Sequence, residues 1–157
     1  MSLRIEKIQD LPLDNLDDLL WESKRTGFNA VQRLITNWAS GANRFDCPGE
    51  AFFIAWRENC MVGVCGLNVD PYANSPHIGR VRHLYVTLAH RRQGIGRALV
   101  KQVITVAQPN FAQLHVRTYS QIADRFYRSL GFTPCHESGD YSHRLILRNC
   151  HSSSHLH

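Results

Sequence analysis

The most constraining stretch of the chain is His90-Arg91-Arg92-Gln93-Gly94-Ile95-Gly96-Arg97, which joins a strand-like run, Val81 to Leu88, to a helix-like one. Beyond it Ile95, Leu99, Val103 and Val106 fall at i, i+4, i+8 and i+11, one apolar face of a helix. Leaving a strand and opening a helix in so few residues requires a tight turn, and Gly94 and Gly96 let the backbone approach a ligand closely. The unpaired amides of the helix start, with its dipole, form a concave site for phosphate oxygens. Arg91, Arg92 and Arg97 add positive charge at the rim. This pattern fits a pyrophosphate. It does not fit two familiar phosphate loops: no Gly-Lys-Ser/Thr follows four spacers, and Leu99 stands where the dinucleotide fingerprint has its third glycine.

The remaining pattern predicts an α/β domain around this turn. Leu3 to Gln9 alternates as a strand. Leu13 to Trp21 and Ala30 to Trp38 carry helical spacing, broken at Gly27 and ended before Gly41. Ala51 to Trp56 and Met61 to Val69 read as a hairpin about Arg57-Glu58-Asn59, and Asp70 to Gly79 as a loop. Phe111 to Arg117 is a strand, Ile122 to Leu130 a helix closed at Gly131, and Phe132 to Cys135 with Tyr141 to Leu147 a final hairpin. The order is β-α-α-β-β-β-α-β-α-β-β, with a mixed sheet. Residues 1–149 form one domain, and the Ser/His-rich 150–157 a flexible tail.

Composition narrows the partners. The net charge of +5 comes from 15 Arg and 3 Lys against 13 acids, and an arginine excess points to an anionic partner. The densest arginine group lies inside the turn and no nucleic-acid signature occurs, so no nucleic-acid partner is expected. No apolar run nears the roughly 20 residues of a membrane span, and the N-terminus lacks a signal peptide's apolar stretch, so a soluble, cytoplasmic protein without membrane association is expected. Five cysteines without a Cys-x-x-Cys pair read as reduced thiols. Cys60, Cys65 and Cys135 suit small buried positions rather than an acyl-carrying role. Cys150, His151, His155 and His157 show no ordered ligand spacing, so no metal is expected.

Arg91-x-x-Gly94-x-Gly96, after a strand containing Leu84-Tyr85-Val86, resembles motif A of the GNAT N-acetyltransferase superfamily. Ala123-Asp124-Arg125-Phe126-Tyr127-Arg128-Ser129-Leu130-Gly131-Phe132 resembles its motif B, commonly Ala-x-x-Phe-Tyr-x-x-Leu-Gly-Phe. The likeness is sharp from about Val81 to Phe132, and the element order extends it over nearly the whole chain. It implies a mostly antiparallel central sheet flanked by helices, with acetyl-CoA as co-substrate. It also implies that the strand matching His83 to Thr87 splays from its neighbour and offers its backbone, at Leu84, Tyr85 and Val86, to the pantetheine arm and thioester. Val86 is the favoured donor to the thioester carbonyl, where an amide would stabilise the oxyanion. Arg91, Arg92, Gln93, Gly94, Ile95, Gly96 and Arg97 would hold the pyrophosphate, and Tyr127 would protonate the departing thiolate. A phenol of pKa about 10 is protonated at neutral pH and chemically apt for that task. The plain alternative packs Tyr127 beside Phe126 as core.

Two positions depart from the family pattern. Ser120 stands where an asparagine often touches the pantetheine, and it can instead cap the following helix. Arg82 and His83 stand where several members place a catalytic glutamate. His83 is a candidate base, the alternative being a packed strand residue, and Glu50 is another acid that could line the acceptor site. Trp21, Trp38 and Phe28 read as core, although in the family that region walls the acceptor site. An acidic pocket built from Glu22, Asp46, Glu50, Asp70, Glu137 and Asp140 would suit a cationic amine. The reading is an N-acetyltransferase moving acetyl from acetyl-CoA to a primary amine, a small molecule favoured, by direct attack in a ternary complex. Its alternatives are a non-catalytic CoA-binding sensor and a peptide or protein N-acetyltransferase. Homodimers are common in the family.

Overall fold

The computed structural model of the chain describes residues 2–137 and 139–147. The expected Cys150, His151, His155 and His157 tail lies outside them. The elements follow the predicted order: β1 (Leu3–Ile8), α1 (Asp17–Arg25), α2 (Ala30–Ser40), β2 (Ala51–Arg57), β3 (Cys60–Val69), β4 (Ile78–Val86), α3 (Ile95–Ala107), β5 (Gln113–Val116), α4 (Gln121–Ser129), β6 (Thr133–Pro134) and β7 (His143–Ile146). A 3-10 turn, Leu13–Leu16, leads into α1, whose first turn holds Asp17 and Asp18 where the helix dipole favours acids. Gly41, left-handed at φ 82°, closes α2 by donating its N–H to the Trp38 carbonyl.

All the strands form one sheet in the order β1-β2-β3-β4-β5-β7-β6. Each neighbouring pair is antiparallel except β4 and β5, which the α3 crossover makes parallel. Helices cover both faces, which is why Ala51 to Ala55 are buried without a break instead of alternating. Alternation sorts them between two layers of core. Phe52 and Ile54 face α1 and α2 with Leu16, Leu19, Leu34 and Trp38, whereas Phe53 and Ala55 face α3 with Leu99, Val103 and Leu114. Burying a Leu, Ile or Phe of this kind contributes about 1.5–3 kcal/mol.

The sheet is interrupted where function is expected. β4 and β5 pair only from Ile78 with Gln113 to Arg80 with His115, and β4 then runs on alone at that edge to Val86. On its other edge β4 stays paired with β3, but one β3 residue, Cys65, faces two of β4, His83 and Leu84. His83 is the inserted residue of this bulge, at φ 60°.

Candidate active site

The bulge and the fork decide what β4 presents. Thr87 N–H donates to the Val62 carbonyl at 2.9 Å, so in an antiparallel ladder Thr87 and Tyr85 turn their polar groups to β3. Val86 therefore turns its N–H and C=O to the opposite edge, where β5 has already left. There Arg91 Nε donates to the Val86 carbonyl at 2.7 Å. The side chains divide as well: Leu84 and Val86 pack toward the α3 core, and Tyr85 toward α1 and α2.

The turn after β4 winds through left-handed backbone at Arg92 (φ 66°) and Gly94 (φ 82°) before α3 opens. No side chain caps α3, so the amides of its first turn have no acceptor among the described residues. A Cβ at Gly94 would meet nothing within 4 Å, and one at Gly96 would lie 3.5 Å from Phe126 and 3.7 Å from Val86. Gly96 thus brings β4, α3 and α4 together at one point. The flanking side chains are tied back: Arg97 Nη1 donates to Ser129 Oγ at 3.3 Å and Arg57 Nη2 to Gln93 Oε1 at 3.3 Å. Ile95 is core, 1% exposed, and offers only its backbone. The cradle is main chain, with exposed Arg92 beside it.

Tyr127 projects from α4 into the core, 4% exposed, between Phe126 and Phe132. Its hydroxyl makes no hydrogen bond among the described residues, and burial beside Cys65 raises it well above the usual phenol range. Ser120 caps α4 by accepting Ala123 N–H at 3.0 Å. On the other face, Tyr85 donates its hydroxyl to Glu22 at 2.5 Å, and Leu88 N–H donates to the same carboxylate oxygen at 2.9 Å. Burial, then Glu22, pushes the Tyr85 phenol up to about 12, and Arg91 lies over its ring. His83 packs edge-on to Phe45 with its Nε2 buried and unpartnered. Burial, and then the Arg82 charge, holds it down to about 3, so it is a neutral imidazole at physiological pH.

Residues 13–132 match the model of the acetyltransferase (GNAT) family. The chain belongs to that family. A crystal structure of a candidate acetyltransferase from Exiguobacterium sp. 255-15 is 31% identical, covers 93% of this chain and 94% of its own, and superposes with a TM-score of 0.82. A 15% identical structure from Salmonella typhimurium, solved with acetyl-CoA, has the same fold, with a TM-score of 0.72 over 97% of this chain and 98% of its own. N-acetyltransferase family 8 member 3 of Rattus norvegicus is 31% identical over 62% of this chain. Human N-acetyltransferase 8 is 35% identical over 54%. These matches span 43% and 39% of the two relatives, so the chain corresponds to less than half of either.

In this GNAT chain the residues singled out from the sequence gather in two places. Leu84, Val86, the turn from Arg91 to Arg97 and Tyr127 surround the fork and the α3 start, while His83 and Tyr85 turn their side chains to α1 and α2. The six acids do not form one pocket, although Asp46 and Glu50 come together. Glu22 holds Tyr85 and Leu88, Asp70 is bound by Arg80 and His115, and both Glu50 oxygens accept backbone amides, from Cys47 at 3.1 Å and Val69 at 2.8 Å. Asp46, Cys47 and Glu50 bring ligand-type atoms within 4.8 Å of one another, but Glu50 is already committed. Trp21 is 64% exposed, with Arg25 stacked on it, Phe28 is 45% exposed and Cys60 is exposed; none of the three is core as expected. Trp21 fits the helical period but falls on the solvent side of a nine-residue helix. No described helix is long and apolar enough to cross a membrane.

Sequence reasoning missed Arg82 and Asn68 as cavity residues. They line a hollow of about 310 Å³ on the α2 side, together with Asn37, Asn43, Arg44 and Glu50. The signal was available for Asn68, an amide inside the otherwise apolar β3, but not for Arg82, which shares β4 with Arg80 and His83.

Proposed function

We propose that this chain is an acetyl-CoA-dependent N-acetyltransferase that acetylates a primary amine, a small molecule rather than a protein, by direct attack in a ternary complex. The observation that carries it is the uncapped start of α3 at the mouth of the β4–β5 fork. There a row of free amides, two left-handed residues and exposed Arg92 suit a pyrophosphate. The relative solved with acetyl-CoA and the two N-acetyltransferase relatives support the same co-substrate.

When bound, acetyl-CoA supplies an activated acetyl thioester. The amides of Gln93 to Arg97 hold its diphosphate, and the free edge of β4 from Leu84 to Val86 aligns the pantetheine. Val86 N–H donates to the developing oxyanion, where a fixed donor is worth most. Tyr127 holds its proton at neutral pH and delivers it to the leaving thiolate. Aligning two bound reactants provides several kcal/mol of the barrier reduction. The amine sheds its proton to water, because His83 is held neutral far below the range of an effective base.

That neutral histidine, with no carboxylate beside it, also favours a second reading, a CoA-binding sensor without turnover. Calorimetric titration of acetyl-CoA into wild type, Gly94→Ala and Gly94→Glu tests the site first. Alanine isolates the strain of a left-handed non-glycine, roughly 1 kcal/mol, whereas glutamate adds charge repulsion. Micromolar binding to wild type, largely kept by alanine and lost by glutamate, is expected. No binding by the wild type sinks both readings. Binding without acetyl transfer to any of a broad set of amines leaves the sensor.

A further inference from the structure

The cavity on the α2 side of β4 has a charge pattern that the transferase reading does not use. The bulge at His83 sends two consecutive side chains, Arg82 and His83, to this face, and Arg82 lines the cavity. Among the described residues the Arg82 guanidinium has no hydrogen bond and no salt bridge. Its neighbours leave it uncompensated. Arg80 and Arg33 lie close enough to disfavour its charge, and the nearby carboxylate, Asp70, is bound by Arg80 at 3.3 Å and His115 at 2.8 Å.

Three further charged side chains line it, Arg44, Glu50 and Asp46. Arg44 Nε donates to the Trp38 carbonyl at 2.8 Å, Glu50 is held by two backbone amides, and Asp46 lies exposed at the rim. Asn68, 6% exposed, makes no side-chain hydrogen bond, and its Oδ1 is buried without a partner, as is Asn43 Nδ2. A half-buried arginine that makes no hydrogen bond or salt bridge, beside an orphan donor at Asn43 Nδ2 and an orphan acceptor at Asn68 Oδ1, lines a hollow of about 310 Å³ that is equipped to bind a polar ligand. The planar guanidinium fork matches a carboxylate.

We infer that this cavity selects the acceptor: the amine carries a carboxylate, as an amino acid does, which Arg82 binds with help from the side-chain N–H donors of Asn43 and Asn37. This rests on the transferase reading and names its substrate class. Arg82 precedes Val86 by four residues of β4, at most about 13 Å, because the bulge at His83 shortens the extended path. A carboxylate reached by the long Arg82 side chain can therefore lie on the acceptor side of the β4 edge at which acetyl is transferred. Of the acids from which the sequence suggested a cationic-amine pocket, Asp46 and Glu50 line this cavity, whereas Glu22 and Asp70 are bound elsewhere.

The test compares L-phenylalanine, its amide and 2-phenylethylamine, and equivalent sets built on other amino acids, as acceptors for wild type, Arg82→Gln and Arg82→Lys. Wild type should show a kcat/KM at least about tenfold higher for the carboxylate member of the productive set, since a charge-assisted pair is about twice as strong as a neutral one. Arg82→Gln should abolish that preference through KM while leaving the decarboxylated amine unchanged, and Arg82→Lys should restore part of it. Acetyl-CoA affinity and thermal melting, measured on each variant, identify any that has merely lost its fold. Acetylation of amines without regard to the carboxylate, or an equal loss for all three acceptors in a folded Arg82→Gln, overturns the inference and leaves the transferase standing. No acetylation of any amine by a protein that binds acetyl-CoA overturns both.

Discussion

Tyr127 shows how little one residue type says without its surroundings. Its ring is core by every contact, yet its hydroxyl is an unpaired donor in a layer shared with Gly96's neighbours Phe126 and Val86. Burial favours the neutral phenol, so the proton is present at any physiological pH. Removing an unpartnered hydroxyl changes stability little, because no hydrogen bond is broken. Tyr127→Phe therefore separates the two readings. We expect kcat to fall about 10²-fold or more, with acetyl-CoA affinity and melting temperature close to wild type. Equal turnover by both proteins at every pH would return Tyr127 to the core.

At the scale of the element, β4 carries most of what distinguishes this chain. Its bulge puts His83 at φ 60°, a conformation unusual for a non-glycine residue, and buries its imidazole against Phe45. The folded state holds the group at about 3, below the ordinary 6.5, with Arg82 and Arg33 adding to burial. Between those values the unfolded chain takes up a proton that the native chain refuses. Stability is thus at its full value above pH 6.5 and declines as the pH falls toward 3. His115, also depressed by burial, adds to the same slope. His83→Asn, which tolerates left-handed backbone and does not titrate, should flatten the decline without removing it. Urea unfolding at pH 7.5, 6 and 5 reads the difference, and parallel curves for the two proteins would refute it. The strand itself and the turn after it were legible, because apolar alternation and two glycines announce them locally. The bulge was not, since nothing about His83 marks a left-handed residue until Cys65 is set across from it.

Across the whole molecule the order of elements was readable from periodicity, and the family motifs placed the fork between β4 and β5. The cluster at the base of the fork was not readable, because its parts are up to 71 residues apart. Asp70 follows β3, Arg80 and His115 form the last rung before the strands part, and Asp140 and Tyr141 belong to the connection between β6 and β7. Asp70, with its side chain 1% exposed, accepts from Arg80 and from His115 Nδ1. Arg80 Nη2 donates to the Asp140 carbonyl at 2.6 Å, and Tyr141 stacks on His115 at 3.6 Å. Only three residue pairs join β4 to β5, and this knot sits at the point where the fork opens. Asp70→Asn strands the Arg80 charge in a buried site and should cost about 3–5 kcal/mol in chemical denaturation. Replacing Arg80 as well, with methionine, removes the stranded charge and should recover part of that loss. If the knot positions the fork as well as stabilising the sheet, the double variant, though folded, should bind acetyl-CoA more weakly than wild type. Unchanged affinity in the folded double variant would confine the knot to stability and leave the fork's geometry to β3 and α3.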